Sequence, residues 1–329
     1  MSVTVGPGAP PRRRARARVT PRVNDRLGNS LLRGLAILAA LLTCALILEI
    51  TYQLVSGSRL ALSHFGLGFL VHSQWKPNFD VFGATTLLFG TAVSSAMALL
   101  IATPVSVAIG LYLSLLAPRG VRGVVGALVE MLAAIPSVIL GFWGILVLGP
   151  FLRDHIEPWL HRTLGFIPLF GPPSSSGSSL FTAGLILTVM IVPIIASISR
   201  DLFRTVPREL QDGAAALGAT RWEIVRGVIL PSTASGVASA ACLGLGRALG
   251  EAIAVTQVIG AGNEVHTSLF TTGDTLASRI ANQFQGASTK LQTSSLFYLA
   301  LILLVIGLTT NLAAQWIGRR YDVQRQAGR

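Results

Sequence analysis

The sequence predicts an all-α, polytopic membrane protein with six transmembrane helices, and two features of the chain support this fold class. Of its 329 residues, 51% are hydrophobic and only 12% are charged, and the mean hydropathy is +0.64. Soluble domains carry about 25% charged residues, so this chain has too few charges to cover a soluble surface. Its apolar residues also gather in six runs long enough to cross a hydrocarbon layer about 30 Å thick.

Each run is predicted to be a helix, because backbone groups in lipid must find their hydrogen-bond partners within the same segment. Pro104, Pro136 and Pro193 lie inside three of the runs and are expected to be tolerated there. In chain order the predicted spans are 34–55, 84–115, 124–148, 180–199, 236–259 and 294–317. They form a transmembrane domain over 34–317, flanked by basic tails at 1–33 and 318–329, of which the first is expected to be disordered.

The positive charge of the chain indicates its orientation in the membrane. There are 26 Lys and Arg residues against 14 Asp and Glu, which gives a formal net charge of +12. Nineteen of the 26 fall in the two tails and in the second and fourth connections, and six fall in the other three connections. The positive-inside rule therefore predicts that both termini are cytoplasmic, in a bacterial plasma membrane. Anionic membrane lipid then accounts for the basic residues, and nucleic acid is not expected as a partner.

Catalytic and metal-binding motifs are not apparent in the sequence. Cys44 and Cys242 both lie in apolar runs and suggest neither a disulfide framework nor a zinc site. A phosphate-binding Walker loop needs a Gly-Lys pair, whereas Lys76 follows Trp75 and Lys290 follows Thr289. The chain is therefore predicted to be a non-catalytic subunit that binds no cofactor.

The fourth connection, 200–235, contains start and stop signals that predict two short helices. Pro207 suits the first turn of one helix, residues 210–217 are helix-forming, and Gly218 can adopt the left-handed conformation that ends it. Thr220 and Glu223 are spaced as a capping box that starts a second helix, which Pro231 is expected to end. A structured loop of this length with an alanine-rich surface favours docking to another protein.

Four ionisable residues lie in the predicted spans, where a charge is costly and usually functional: Glu49, Glu130, Arg247 and Glu251. Arg247 falls at the midpoint of the fifth span, and the spacing predicts that Glu251 shares its helix face. Gly246 and Gly250 are spaced for close helix packing. A planar guanidinium beside such a seam suits the passage of an oxyanion, with a nearby carboxylate to hold it between anions.

The loop over 212–231 resembles the EAA loop of ABC-importer permeases. The matching residues are Asp212, Gly213, Ala214, Ala215, Ala216, Leu217 and Gly218, followed after nine residues by Val228-Ile229-Leu230-Pro231. Asp212 stands where that pattern has Glu, and Gly213 stands where it has Ala. The resemblance implies a type I ABC-importer permease fold in which residues 207–221 form the coupling helix to an ATPase.

The segment from Gly244 to Glu251 is similar to the G-R-A-L-G-E segment of the phosphate-uptake (Pst) permeases. Further likenesses are Glu130–Val138 with Gly141–Gly144, Ile191–Ser197 with Arg200-Asp201, and Phe69-Leu70 with Trp75-Lys76-Pro77. Together they indicate the PstC type rather than the sister PstA type. The resemblance implies that Arg247 and Glu251 take part in phosphate passage.

The same resemblance implies the partners. They are a PstA-like permease, a PstB-like ATPase in two copies that uses ATP and magnesium, and a PstS-like binding protein that delivers inorganic phosphate. Three alternatives stay open: an ABC permease for sulfate or molybdate, a self-sufficient secondary anion transporter, and a membrane enzyme. No internal repeat of the kind common in secondary transporters is clear in the sequence, and the predicted spans hold no nucleophile–base pair.

Overall fold

The structure is a computed structural model that describes the backbone of residues 23–320 and the side chains of residues 28–316. Thirteen α-helices lie in this described part. They are α1 (Val23–Phe65), α2 (Thr85–Leu111), α3 (Arg119–Ala134), α4 (Ser137–Trp143), α5 (Gly149–Phe151), α6 (Glu157–Leu164), α7 (Leu180–Thr205), α8 (Arg208–Ala216), α9 (Arg221–Ile224), α10 (Leu230–Gly250), α11 (Ile253–Val258), α12 (Leu276–Gln283) and α13 (Lys290–Arg320). The all-α prediction is confirmed.

Six helical stretches among the described residues are long and apolar enough to cross a membrane, which confirms the predicted number. They are Gly28–Leu70, Thr85–Leu116, Ser137–Leu164, Leu180–Thr205, Arg221–Gly250 and Lys290–Trp316. The second, fourth and sixth lie close to their predicted bounds, and Pro104 and Pro193 sit inside α2 and α7 as expected.

The third predicted span, 124–148, is not one helix. Ile135 and Pro136 are extended, with ψ angles of 125° and 137°, and they separate α3 from α4. Pro136 has no N–H to donate, and a residue before proline disfavours the helical conformation. The helical stretch that can cross the membrane starts after this break, at Ser137, and contains π-helical turns at Gly144–Leu148 and Leu152–Ile156.

The fifth predicted span is also displaced. Helix α9 continues through a π-helical turn at Val225–Ile229 directly into α10. The expectation that Pro231 ends the second loop helix is wrong, because the helix continues past Pro231, which directly follows the π-helical turn. Such turns accommodate local irregularities in the hydrogen-bond ladder of a helix. The helix then ends at Gly250, and the backbone of Glu251 is extended, with a ψ angle of 116°.

The chain divides into two units, residues 1–52 and 53–329. In the first unit α1 begins at Val23, before the predicted Gly34, and its large apolar side chains from Leu31 to Ile50 are exposed. The rest of the predicted N-terminal tail, 1–22, and residues 321–329 of the predicted C-terminal tail lie outside the described residues.

The second unit is built around α7. Its side chains at Ile186, Ile191 and Ile195 are buried in one apolar cluster with Ala98 and Ala102 of α2. Small residues allow close approach: a methyl group on Gly244 of α10 would lie 2.8 Å from Ile195 Cδ1. This packing fixes α10 against the middle of α7.

A buried ion pair that the sequence did not reveal stabilises the connection between α11 and α13. Arg279 and Asp274 are 3% and 2% exposed, and Arg279 Nε lies 2.6 Å from Asp274 Oδ2. The Asp274 carboxylate also accepts hydrogen bonds from the Thr275 amide, at 2.8 Å, and from the Ser278 hydroxyl. The Arg279 guanidinium lies 5.7 Å from the centroid of the Trp75 ring. Burial raises the pKa of Asp274, and the Arg279 guanidinium opposes that rise.

We expect Arg279→Met to lower the free energy of unfolding by about 3–5 kcal/mol, because it leaves a buried carboxylate without its cation. Without Arg279 the pKa of Asp274 rises further above its unfolded value of about 3.9. The carboxyl group then binds its proton more tightly in the folded state. The loss of unfolding free energy should be largest at pH values above the folded-state pKa of Asp274 in the variant. It should shrink as the pH falls through that pKa, because the carboxyl group then becomes neutral.

Thermal unfolding of the full chain in detergent, measured over a pH series, tests this expectation. Asp274→Asn added to Arg279→Met should recover much of the loss, because no unpaired charge then remains buried. Arg153→Met is the matched control, since Arg153 pairs with Asp154 at the surface, where ion pairs contribute little. Equal losses for Arg279→Met and Arg153→Met would contradict the role of the buried pair.

Candidate transport site and coupling surface

Arg247 lies on the last turn of α10, three residues before that helix ends. Its side chain is exposed, and among the described residues no hydrogen bond or ion pair reaches its guanidinium. The exposed side chains around it in sequence are apolar, including Leu243 and Ile253. A guanidinium on such a face cannot remain in contact with lipid at low cost, so water, an anion or another protein must cover it.

The predicted pairing of Arg247 with Glu251 on one helix face is wrong. Because α10 ends at Gly250, Glu251 lies in the break between α10 and α11 and is turned away from the helical register. Its carboxylate Oε1 accepts a hydrogen bond from the Ala254 amide, at 3.3 Å, and so satisfies a free donor at the start of α11. Arg247 therefore lies on the last turn of α10 without a polar partner among the described residues, whereas Glu251 lies in the break and binds the start of α11.

The level of Arg247 in the bundle follows from the packing of α10. Gly244, one turn before Arg247, lies against Ile191 and Ile195, which are in the middle third of α7. Arg247 is therefore close to mid-span when depth is measured along α7. Gly246 and Gly250 behave differently from Gly244, because a methyl group on either would meet nothing within 4 Å. The predicted close-packing seam is open in this chain, on the side that carries Arg247.

The two helix breaks are neighbours. A methyl group on Gly141 of α4 would lie 3.0 Å from Ala254 Cα and 2.6 Å from Gln257 Oε1, both in α11. The segments that follow the Pro136 break and the Glu251 break therefore pack directly on each other. Discontinuous helices that meet inside a membrane protein leave backbone groups available for substrates, and ion and substrate sites commonly form there.

Gln257 is a candidate site residue that the sequence analysis missed. Its side-chain Oε1 atom is buried and has no hydrogen-bond partner among the described residues. A buried, unsatisfied amide is costly and calls for an explanation. The signal was present in the sequence as an amide side chain, next to Thr256, in the otherwise apolar run from Ala254 to Ile259. Gln257 carries no formal charge, so the high cost of a charge in lipid does not single it out in the sequence.

The predicted coupling segment forms a short, exposed helix and a turn. Helix α8 spans Arg208–Ala216, shorter than the predicted 207–221, and Gly218 has the predicted left-handed backbone, with φ +86°. The capping box is confirmed: the Thr220 amide donates to Glu223 Oε2 at 2.7 Å, and the Glu223 amide donates to Thr220 Oγ1 at 3.4 Å. The connection between membrane-crossing helices is correspondingly shorter than the predicted 200–235.

The matched EAA-loop residues lie on a largely open surface. Leu217 is 90% exposed, and a methyl group on Gly213 would meet nothing within 4 Å. Helix α8 is tied to the preceding turn by a hydrogen bond from Gln211 Nε2 to the Val206 carbonyl, at 3.1 Å. A fully exposed leucine beside small residues is typical of a surface that another protein covers.

Comparison with known proteins places this architecture in a class. The family described as "Binding-protein-dependent transport system inner membrane component" matches residues 106–323. The chain belongs to this family of multi-pass inner-membrane permease components.

Individual relatives are more specific. The chain is 42% identical to the phosphate transport system permease protein PstC of Mesorhizobium japonicum, over 88% of this chain and 89% of that protein. It is 44% identical to PstC of Haemophilus influenzae, over 84% and 89% of the two chains. It is 39% identical to PstC 1 of Mycobacterium tuberculosis, over 78% and 82%. The expected resemblance to PstC-type permeases is therefore confirmed.

Solved structures support the predicted type I ABC-importer permease fold. A chain of a bacterial alginate ABC transporter, in complex with an alginate pentasaccharide-bound periplasmic protein, aligns with a TM-score of 0.57 at 18% identity. That alignment covers 90% of this chain and 98% of the other. A chain of the MetNI methionine ABC transporter, in an inward-facing conformation, aligns with a TM-score of 0.52 at 20% identity, over 72% and 96% of the two chains.

Proposed function

We propose that this chain is the PstC-like permease subunit of an ATP-driven importer of inorganic phosphate. The observation that carries the proposal is the unpaired guanidinium of Arg247, exposed near mid-span beside a helix break. Arginine binds phosphate oxygens through two parallel hydrogen bonds, and it keeps its charge at all physiological pH values. The high identity to PstC permeases supports phosphate as the anion.

The open face around Arg247 supports a pathway shared with a second subunit. Gly246, Gly250 and Arg247 present a surface that no described part of this chain packs against. A PstA-like permease that covers this surface would enclose the guanidinium between two half-sites. Phosphate would then pass between the two permeases, with Glu251 fixing the start of α11 next to the anion.

The energy source in this proposal is a partner. A PstB-like ATPase in two copies would hydrolyse ATP with magnesium, and a PstS-like protein would deliver phosphate from the outer side. The excess of basic residues on the side of α8 supports cytoplasmic termini and a cytoplasmic docking surface. Residues Asp212–Gly218 would contact the ATPase, with Leu217 as the exposed apolar anchor.

Movement of α8 can reach Arg247 through one continuous rod. The helical stretch Arg221–Gly250 has 30 residues and is therefore about 45 Å long. One end of the rod is joined to α8 by the Gly218 turn, and Arg247 lies in the last turn at the other end. In the proposed cycle, closure of the ATPase pair displaces α8 and tilts this rod.

Arg247→Ala should reduce phosphate uptake by the assembled complex about tenfold to a hundredfold or more, because each charged hydrogen bond contributes about 1.5–3 kcal/mol. Arg247→Lys should be intermediate, since it keeps the charge and loses the planar fork. Uptake of radioactive phosphate into proteoliposomes containing ATP measures both effects. Arg162→Ala, at another exposed arginine, is the control and should transport normally.

Normal uptake by Arg247→Ala would remove this residue from the pathway. The same vesicles separate the alternative transport classes. Competition by unlabelled sulfate or molybdate as strong as that by phosphate would indicate a different oxyanion. Uptake driven by an ion gradient in vesicles without ATP or partner subunits would indicate a secondary transporter.

Gly218→Val should uncouple the ATPase, because a β-branched residue at φ +86° costs roughly 1–2 kcal/mol and reshapes the turn. The added side chain itself meets no atom within 4 Å of its Cβ position, so the effect arises from the backbone alone. The measurements are co-purification of the ATPase and phosphate-stimulated ATP hydrolysis. Gly218→Asn should retain both, since asparagine tolerates this conformation. Full coupling in Gly218→Val would refute a role of this turn in coupling.

A further inference from the structure

Four arginines line one open cavity between α3 and α7, at the end of the bundle that carries α8. The cavity has a volume of about 390 Å³, within the usual range for a small-ligand site. The residues around it are Arg119, Arg122, Gly123, Gly126, Ala127, Glu130, Arg200 and Arg204. Four cations therefore face the cavity with one carboxylate among its lining residues.

Two of these arginines are held by contacts within the chain. Arg200 Nη1 lies 3.4 Å from Glu130 Oε1, and its Nε lies 3.2 Å from Asp201 Oδ1. Arg122 Nη2 donates to the carbonyls of Ser114 and Ala117, at 3.2 and 3.3 Å. These contacts fix both guanidinium groups in the cavity wall without neutralising Arg122.

The other two arginines are not explained by the fold. No hydrogen bond or ion pair within the described part of the chain reaches the guanidinium of Arg119 or of Arg204, and both side chains are exposed. Like charges that share a cavity repel one another, and they do so more strongly next to an apolar phase. The opposite face of α3 is apolar and exposed, at Val124, Leu128 and Met131. An anion in the cavity would remove this repulsion.

Glycines keep the cavity open. A methyl group on Gly126 would lie 3.4 Å from Arg200 Nη1, and one on Gly123 would meet nothing within 4 Å. Glycine in a helix interior costs about 1 kcal/mol relative to alanine, so Gly123 weakens α3 without a packing contact that requires it. Space for a ligand is a reason for its presence.

We propose that this cavity binds a phosphate-group oxyanion, at a site separate from Arg247. Planar guanidinium groups match phosphate oxygens in geometry and charge. Free inorganic phosphate and the headgroup of an anionic phospholipid share this chemistry. Basic pockets between transmembrane helices bind lipid phosphates in the same way.

The test uses the full chain carrying Arg247→Ala, so that the proposed transport site does not contribute to binding. The charge variant is Arg119→Gln with Arg204→Gln, which leaves the contacts of Arg122 and Arg200 in place. The cavity variant is Gly123→Leu, which fills the space and keeps every charge. The control is Arg162→Gln with Arg226→Gln, which removes two exposed arginines outside the cavity.

Two probes distinguish the sources of the anion. Equilibrium dialysis against radioactive phosphate, with sulfate as competitor, measures the free ion. Native mass spectrometry of protein from nanodiscs containing phosphatidylglycerol, compared with phosphatidylcholine alone, measures lipid retention. Both the charge variant and the cavity variant should weaken binding of one probe by about tenfold to a hundredfold, with the control unchanged.

Loss of phosphate binding identifies the free ion as the ligand, and loss of phosphatidylglycerol retention identifies the lipid headgroup. The proposal is overturned if neither probe responds to the two variants. It is also overturned if the charge variant and the control have equal effects, or if Gly123→Leu binds normally, because either result indicates nonspecific surface charge. A transport defect in Arg247→Ala is a separate observation and affects none of these outcomes.

Discussion

The burial of charge in an apolar setting constrains this structure more than any other factor. Arg247 stands on an open helix face near mid-span, without an ionic partner in the described part of the chain. Arg279, in contrast, is buried with Asp274 and is satisfied from several sides. The first charge is compatible with a membrane only if something outside the chain covers it, whereas the second is complete within the fold. The fold therefore leaves one charge open to water, an anion or a second protein and closes the other internally.

Helix breaks provide the geometry around the uncovered charge. The extended backbone at Ile135–Pro136 precedes one membrane-crossing stretch and that at Glu251 follows another, and the segments after the two breaks pack on each other through Gly141 and Ala254. Irregular backbone is tolerated at this depth where it is buried in protein or lines a polar cavity. The unsatisfied Oε1 atom of Gln257 lies at the same contact. The segment after the Glu251 break therefore carries an unpaired polar atom at its contact with α4, within ten residues of Arg247 in the sequence.

Local sequence signals predicted the structure well where neighbours in sequence decide it. The capping box of Thr220 and Glu223 and the left-handed Gly218 depend on residues at most three positions apart, and both are present. The number of spans also follows directly from the length of the apolar runs. Such signals do not require knowledge of the tertiary packing.

Prediction failed where packing decides the conformation. Pro104 and Pro193 lie within helices, whereas Pro136 follows a helix end, and all three lie in similarly apolar runs. The break at Glu251 has no proline, so the run 236–259 reads as one uninterrupted helix. The Asp274–Arg279 pair lies in a connection, where a charged residue is ordinary, and one of its contacts is Trp75, some 200 residues earlier in the chain.

The distribution of rigid and open contacts also bears on how motion could cross the molecule. Close packing of Gly244 against Ile191 and Ile195 fixes α10 six residues before its end at Gly250, where Ala248 and Leu249 are also buried, whereas a methyl group on Gly246 or Gly250 would meet nothing within 4 Å. The rod is therefore anchored close to the end that carries Arg247, while α9 at its other end buries none of its residues. The near end begins at the Thr220 cap, directly after the Gly218 turn. A push on α8 would therefore be transmitted along the rod to its packed contact with α7, one turn before Arg247, and would act there on the wall of the proposed pathway.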